Sequence, residues 1–376
     1  MYTLILDGPC AEQDEELVYS TKQNLACLYA QADRFAEADS TFQEALSSCE
    51  CALGPHHALT LTIAHNYGIL YAIQGYLNMA KSMYDRALRG RVRNSGVDDP
   101  SALDTICCLG DLYVRQGLLA EAERWYHSAL TGRNRALGPS HLLTLNTIHS
   151  LGMLYLEQGR LDAAEAMYCH AIEHYERLCG PDHPLALNAI NNLGNVFKEQ
   201  GRFQEAERCY RTALHGYRAA LGSQHSLVFG TANNIGNLNE LLGRTDDAES
   251  MYIYALEGKR KVLGTTHIST LHTVYNLGIH YADRGLPLKA EPLFLWAATE
   301  FQATLGPLHT KTLQATQALQ SAQGKRSSSQ KHPAGAPRAA TRYGSASGLR
   351  AACRKLFAGN ISLPQVKGRM RAGPAT

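Results

Sequence analysis

Apolar and small residues fall three and four apart from Leu187 to Leu214, in two stretches separated by Gly201. Leu187, Ile190, Leu193, Gly194 and Phe197 share one face of the first stretch, and Ala206, Tyr210 and Ala213 one face of the second. Two amphipathic helices divided by a glycine predict an antiparallel hairpin. The first helix then carries Asn188, Asn191, Asn192, Asn195 and Lys198 on the face opposite its packing residues.

This pattern returns along the chain. Gly54, Gly96, Gly138, Gly180, Gly222, Gly264 and Gly306 stand 42 residues apart, so one supersecondary unit is copied. In the first helix Leu25, Tyr67, Leu109, Leu151, Leu193, Ile235 and Leu277 share a register, each followed by a small residue: Ala26, then Gly68 and its copies through Gly278. A small residue there admits the second helix closely, which offsets a helix cost of ~1 kcal/mol per glycine. Tyr29, Tyr71, Tyr113, Tyr155, Phe197 and Tyr281, three positions on, are expected core aromatics. Gly75, Gly117, Gly159, Gly201, Gly243 and Gly285 mark the turn between helices, with Ala32 in the first copy. In the second helix an alanine (Ala38 to Ala290) precedes an aromatic (Phe42 to Phe294) by four, giving a small-then-large interlock.

The phase predicts hairpins at about 17–51, 59–93, 101–135, 143–177, 185–219, 227–261 and 269–303, with a polar capping helix at 309–322. Residues 1–16 are a lead-in, 17–322 the array and 323–376 a tail. The expected fold class is all-α: a solenoid of stacked hairpins with a disordered basic C-terminal tail.

The recurring Leu-Gly, aromatic, turn-Gly and Ala/aromatic positions resemble the tetratricopeptide repeat (TPR). The likeness is to the 42-residue form typical of kinesin light chains and of the fungal proteins that share it, and covers about residues 17–322. It implies a right-handed superhelix whose first helices line a concave groove. Asn24, Asn66, Asn192, Asn234 and Asn276 share one register, broken by Cys108 and Ser150. In peptide-binding members Asn at that register hydrogen-bonds the backbone of an extended peptide, so the resemblance carries that role to Asn66, Asn192, Asn234 and Asn276. Asn188, Asn191, Asn195, Lys198, Asn233 and Asn237 flank them as further groove residues. Packed helices lie ~8–10 Å apart, close to the ~10 Å spanned by three extended residues. The alternative, that these amides tie one hairpin to the next, stays open. The Lys/Arg set by which chaperone-binding members hold a C-terminal carboxylate is missing, with Lys198 and Arg115 the only evident groove cations.

Composition narrows the function. The net charge of +2 conceals 11 Lys/Arg and no acid in residues 325–376, against 25 basic and 34 acidic residues before them. Such a tail attracts polyanions weakly and in a salt-dependent way. Ten cysteines without a C-x-x-C pair, and no secretory segment, are expected to be reduced thiols of a cytoplasmic protein. No stretch approaches the ~20 apolar residues of a membrane span. His57, His141, His183, His225, His267 and His309 recur with the period, yet adjacent repeats lie ~10 Å apart whereas zinc needs nitrogens at ~2.0 Å; a loop role is expected, and no metal. No phosphate loop, H-E-x-x-H or G-x-S-x-G occurs, so neither enzyme activity nor a small-molecule cofactor is expected. The expected function is protein binding: a kinesin light chain-like adaptor or cargo-recognition module taking an extended segment of a protein partner. The alternative is a sensing or scaffold array like those of fungal nucleotide-binding signalling proteins.

Overall fold

A computed structural model describes residues 15–32, 34–307 and 309–329. The described residues form fifteen helices and no strand. The chain divides into two compact units at Ala248/Glu249. The first holds α1 (Glu15–Gln31), α2 (Phe35–Leu53), α3 (Ala58–Ile73), α4 (Leu77–Ser95), α5 (Pro100–Arg115), α6 (Leu119–Leu137), α7 (Leu142–Glu157), α8 (Leu161–Cys179), α9 (Pro184–Glu199), α10 (Phe203–Leu221) and α11 (Ser226–Leu241). The division falls within α12 (Thr245–Val262); the second unit continues with α13 (Ile268–Asp283), α14 (Pro287–Leu305) and α15 (Thr310–Ser329). α15 runs past residue 322, the expected end of the cap, because no proline intervenes before Pro333. The lead-in to residue 14 and the tail from residue 330, with its expected disorder, lie outside the described residues.

Local chemistry sets each helix boundary. The periodic histidines open the first helices: His57 Nδ1 accepts from the Leu59 amide at 3.4 Å, His183 from Leu185 at 3.3 Å and His267 from Ser269 at 3.1 Å. Asp99 does the same for Ser101 at 3.0 Å in the copy that lacks the histidine. Pro100 and Pro184 add a fixed φ at the first helical position. First helices end in a Schellman motif. In α3 the Tyr76 amide donates to the Tyr71 carbonyl at 2.9 Å and the Gly75 amide to Ala72 at 3.3 Å, with Gly75 at φ +82°. Second helices end differently: Gly54 has φ +92° and ψ 163°, a region that essentially only glycine enters. That is why the 42-residue glycine is invariant along the chain.

Within each unit, first helices lie close against their second helices, as α3 on α4, α5 on α6, α7 on α8, α9 on α10 and α13 on α14. A Cβ placed on Gly194 would stand 2.7 Å from Tyr210 Cε1, and one on Gly110 the same distance from Tyr126 Cε1. The small residue therefore makes room for an aromatic ring laid on backbone. Gly90, Gly132 and Gly216 on the second helices do likewise for Leu61, Leu103 and Leu187, with distances of 2.4, 2.4 and 2.5 Å. One buried cluster of the first unit runs from Ala26 to Leu112 and another from Ala122 to Leu238, so each of these two cores is shared by several hairpins. In the second unit Leu271, Val274, Leu277, Phe294 and Phe301 form the equivalent buried set.

Charged braces join neighbouring hairpins on the turn side. Arg160 pairs with Glu123 at 2.7 Å, Arg202 with Glu165 at 2.7 Å and Arg244 with Glu207 at 3.2 Å, each reaching from a turn to the preceding second helix. Arg160 and Arg202 also lie over the rings of Tyr155 and Phe197, at 4.2 and 4.1 Å from the centroids. Surface pairs of this kind contribute ~0–1 kcal/mol each, so they trim the stack and the glycine–aromatic contacts hold it.

Two substitutions separate close packing from helix propensity. Gly194→Ala forces the Tyr210 ring aside and is expected to destabilise the protein by ~1–3 kcal/mol. Gly230, a helical glycine with nothing within 4 Å of its would-be Cβ, is the opposite case. Gly230→Ala is expected to stabilise by ~0.5–1 kcal/mol through helix propensity alone. Urea unfolding of both variants beside the parent checks the opposite signs; a stable Gly194→Ala protein would remove the packing role.

Candidate functional site

The first helices of successive hairpins place the same registers side by side. In the first unit, polar side chains of neighbouring first helices meet directly. The Asn234 amide on α11 donates to Asn191 Oδ1 on α9 at 3.2 Å. Asn192 Nδ2 on α9 lies 3.0 Å from His149 Nε2 on α7. Within α9 the amides of Asn191 and Asn195 reach Asn192 Oδ1 at 3.5 and 3.4 Å. A continuous chain of amides and an imidazole thus crosses three hairpins.

The imidazole can accept a hydrogen bond from the Asn192 amide because it is neutral. Burial pulls the pKa of His149 down to about 4, and its ring stands edge-on to Tyr168 with centroids 5.2 Å apart. His65, two copies earlier, is likewise pulled down to about 4, by burial and then by Arg91, and shares the Thr105 hydroxyl at 3.3 Å. The core orients Asn195, since the buried Tyr210 hydroxyl donates to its Oδ1 at 2.7 Å. Where that register holds Met153, the hydroxyl of the equivalent Tyr168 has no acceptor.

The expected groove residues occupy different situations. Asn188 and Asn66 are half-buried and make no side-chain hydrogen bond among the described residues. Asn233 is buried and Asn237 half-buried, both with partners of their own. Asn276, also half-buried, belongs to the second unit. Lys198 pairs with Glu199 at 2.9 Å, beside an open depression of about 430 Å³ whose lining includes Leu156, Asn195 and Lys198. Arg115 reaches back to the Ala72 carbonyl at 3.5 Å.

Lys198 and Arg115 are not the only cations at this face, which corrects the expectation from sequence. Arg91 on α4 and Arg133 on α6 extend from the second helices to the first-helix face, where they meet Thr62 and Asp104. Arg91, Arg133 and Lys259 stand at one register of the 42-residue period. That recurrence was the available signal, but the intervening Tyr175 and Tyr217 disguise it as part of the core stripe.

Among the described residues no three metal-ligating side chains come together, and no helix is long and apolar enough to cross a membrane. The tetratricopeptide repeat family model matches residues 17–91, 101–177, 170–219 and 227–299, and the chain belongs to that family. No curated protein sequence matches it. Its fold is similar to that of a Rap protein complexed with competence and sporulation factor, at 12% identity and a TM-score of 0.56, over 84% of this chain and 89% of that one. It is also similar to a tetratricopeptide repeat protein from Parabacteroides merdae, at 16% identity and a TM-score of 0.52, over 81% and 98% of the two chains. A Podosopora anserina putative kinesin light chain with nearly identical TPR-like repeats aligns at 18% identity and a TM-score of 0.48, over 56% and 99%. At these identities the first two structures show a shared fold alone and leave function to be argued from the site.

The neutral imidazoles give the site a pH signature. Unfolded histidine titrates near ~6.5, while His65 and His149 resist protonation until about 4. Between those values the unfolded chain binds more protons, so stability is expected to fall as pH drops through this window. Each imidazole adds at most ~1.4 kcal/mol per pH unit to the slope. His149→Asn, which installs the residue found at Asn191 one copy later, is expected to lose less stability than the parent between pH 7 and 5 when urea midpoints are compared.

Proposed function

We propose that this tetratricopeptide array is a non-catalytic interaction scaffold that holds an extended segment of a partner protein along its first helices. It would serve as an adaptor or cargo-recognition module of kinesin light chain type. The observation that carries the reading is the run of half-buried polar groups from the His149 imidazole on α7 through the amides of α9 to Asn234 on α11, whose members meet across helices at 3.0 and 3.2 Å. Their repeat follows the ~8–10 Å helix spacing, which matches three residues of extended chain. An amide offers one acceptor and two donors and so recognises a peptide unit whatever its side chain. Asn66 and Asn188, without an internal side-chain bond, keep that capacity whole.

Other features fit the same role. Eight cysteines among the described residues are free thiols, which suits a reducing compartment such as the cytoplasm. The Rap protein solved with competence and sporulation factor provides a case in which the same fold receives a ligand. The basic tail would add weak, salt-dependent attraction to polyanions without defining the partner.

The double variant Asn192→Ala/Asn234→Ala tests the reading. Against a partner isolated on the full chain and then purified, it is expected to weaken binding by ~1–3 kcal/mol, two hydrogen bonds of ~0.5–1.5 kcal/mol each. Both residues also tie helices together, so melting temperatures are measured on the same samples. A well-folded double variant with unchanged affinity would move the site elsewhere, and binding lost only in step with unfolding would leave the amides as structural ties.

A further inference from the structure

α4 and α6 each bury an arginine beneath the first-helix face: Arg91 is 8% exposed and Arg133 5%. The two stand one period apart and make the same inner contacts. Nη1 of Arg91 donates to the Ser101 carbonyl and the Thr105 hydroxyl, both at 2.7 Å. Nη1 of Arg133 donates to the Leu143 carbonyl and the Thr147 hydroxyl, also both at 2.7 Å.

They differ at Nη2, the nitrogen that reaches the face. Arg133 Nη2 forms an ion pair with Asp104 on α5. Arg91 Nη2 meets only the Thr62 hydroxyl on α3, at 3.4 Å, at the register that Asp104 occupies one copy later. That hydroxyl already donates its proton to the Ala58 carbonyl at 2.9 Å. Among the described residues no carboxylate lies within ion-pair distance of Arg91. Burial lowers its pKa, and Asp104 and Asp99 offset this only in part.

A buried cation without a paired anion is costly, and the three copies answer that cost differently. Arg133 has Asp104. Lys259 in the second unit, 4% exposed and bonded to the Ser269 carbonyl and Thr273 hydroxyl at 3.2 and 2.9 Å, holds its proton less firmly than a free lysine, since burial pulls its pKa down to about 8. A guanidinium does not deprotonate in proteins. Neighbouring His65 is neutral and adds no competing positive charge.

We infer that Arg91 is a carboxylate-recognition position: an Asp or Glu side chain of the bound segment docks at Thr62, where Asp104 supplies the carboxylate one repeat later. This deepens the proposed function and rests on the reading that an extended segment lies along the first helices. Thr62 ends one bond short of where a carboxylate oxygen would stand, so the position discriminates by charge and by reach. With Nη1 engaged inside, Nη2 is the nitrogen left to give a charge-assisted hydrogen bond to a carboxylate oxygen, as Nη2 of Arg133 does to Asp104.

The full chain is titrated with two blocked peptides, one of alternating Ser and Glu and the other of alternating Ser and Gln. The parent is expected to prefer the Glu peptide by about tenfold or more, the scale of a charge-assisted hydrogen bond. Thr62→Asp, which completes the ion pair internally, and Arg91→Met, which fills the same volume without charge, are each expected to abolish that preference. The basic tail is the same in all three proteins, so its attraction cancels. A Glu preference that survives in both variants overturns the assignment, as does equal binding of the two peptides by the parent, which would leave the extended-segment reading standing. Tighter binding of a phosphoserine peptide than of the Glu peptide would overturn the carboxylate in favour of phosphate. Sodium acetate against sodium chloride at equal ionic strength separates the two readings: it is expected to raise the melting temperature of the parent and not of Thr62→Asp. Acetate stabilisation without peptide binding would remove the extended segment and keep the carboxylate site; no acetate effect together with no peptide binding would remove both.

Discussion

The contact between a first-helix glycine and an aromatic ring on the second helix, made by Gly68, Gly110, Gly152, Gly194 and Gly278, is the constraint from which much else follows. With only hydrogen at Gly194, the Tyr210 ring can lie on the backbone of α9, where a Cβ would stand 2.7 Å away. That approach buries the ring and its hydroxyl, and a buried hydroxyl needs an acceptor. Asn195 provides it at 2.7 Å, which fixes the orientation of one of the amides at the first-helix face. Packing inside the hairpin thereby sets the chemistry presented outside it. The Tyr168 copy, where Met153 holds the register of Asn195, shows the cost of breaking the pair: its hydroxyl is left without an acceptor.

Because each buried cluster draws on several hairpins, stability is a nearest-neighbour property. The polar ties follow the same logic. Asn234 to Asn191, Asn192 to His149 and Thr105 to His65 all link one first helix to the next. Such ties hold the helices at the spacing that an extended chain can match, so structural tying and ligand contact are compatible uses of one ladder. The turn-side braces run less evenly, since Tyr76 and Leu118 stand where Arg160 and Arg202 stand in later copies. Repetition of backbone geometry thus leaves room for variation in the side chains between copies.

Buried charge is where the copies diverge most. One register holds arginine twice, then tyrosine twice, then lysine, and its members meet different surroundings. Arg133 is matched by Asp104, and Tyr175 donates to Asn146 at 2.7 Å. A repeat protein can vary recognition along its length in this way without changing helix phase, because the register points from the second helix between two first helices.

Helix periodicity, the turn glycines and the small-then-large interlock were legible in the chain because they are local, or recur at fixed intervals that only one kind of unit satisfies. The glycines at 42-residue spacing announced the repeat, and their φ near +90° gives the reason no other residue replaces them. The histidines of the same period were legible as loop residues; that His183 caps α9 through its Nδ1 depended on backbone geometry that sequence does not show. The amides at the first-helix face could be placed on one side by spacing alone. Which amide bonds to which could not, because Asn192 and His149 are 43 residues apart and meet only when two hairpins stack. Arg91 and Arg133 recur at one register but lie in an apolar stripe, and that they reach the face was not legible, since the length and direction of a side chain between packed helices are decided by its neighbours. Sequence by itself therefore determined the unit, its period and its polar face, all properties of one helix or one interval. The tertiary structure decided which charges are matched and which amides are engaged, because those depend on contacts between copies that differ.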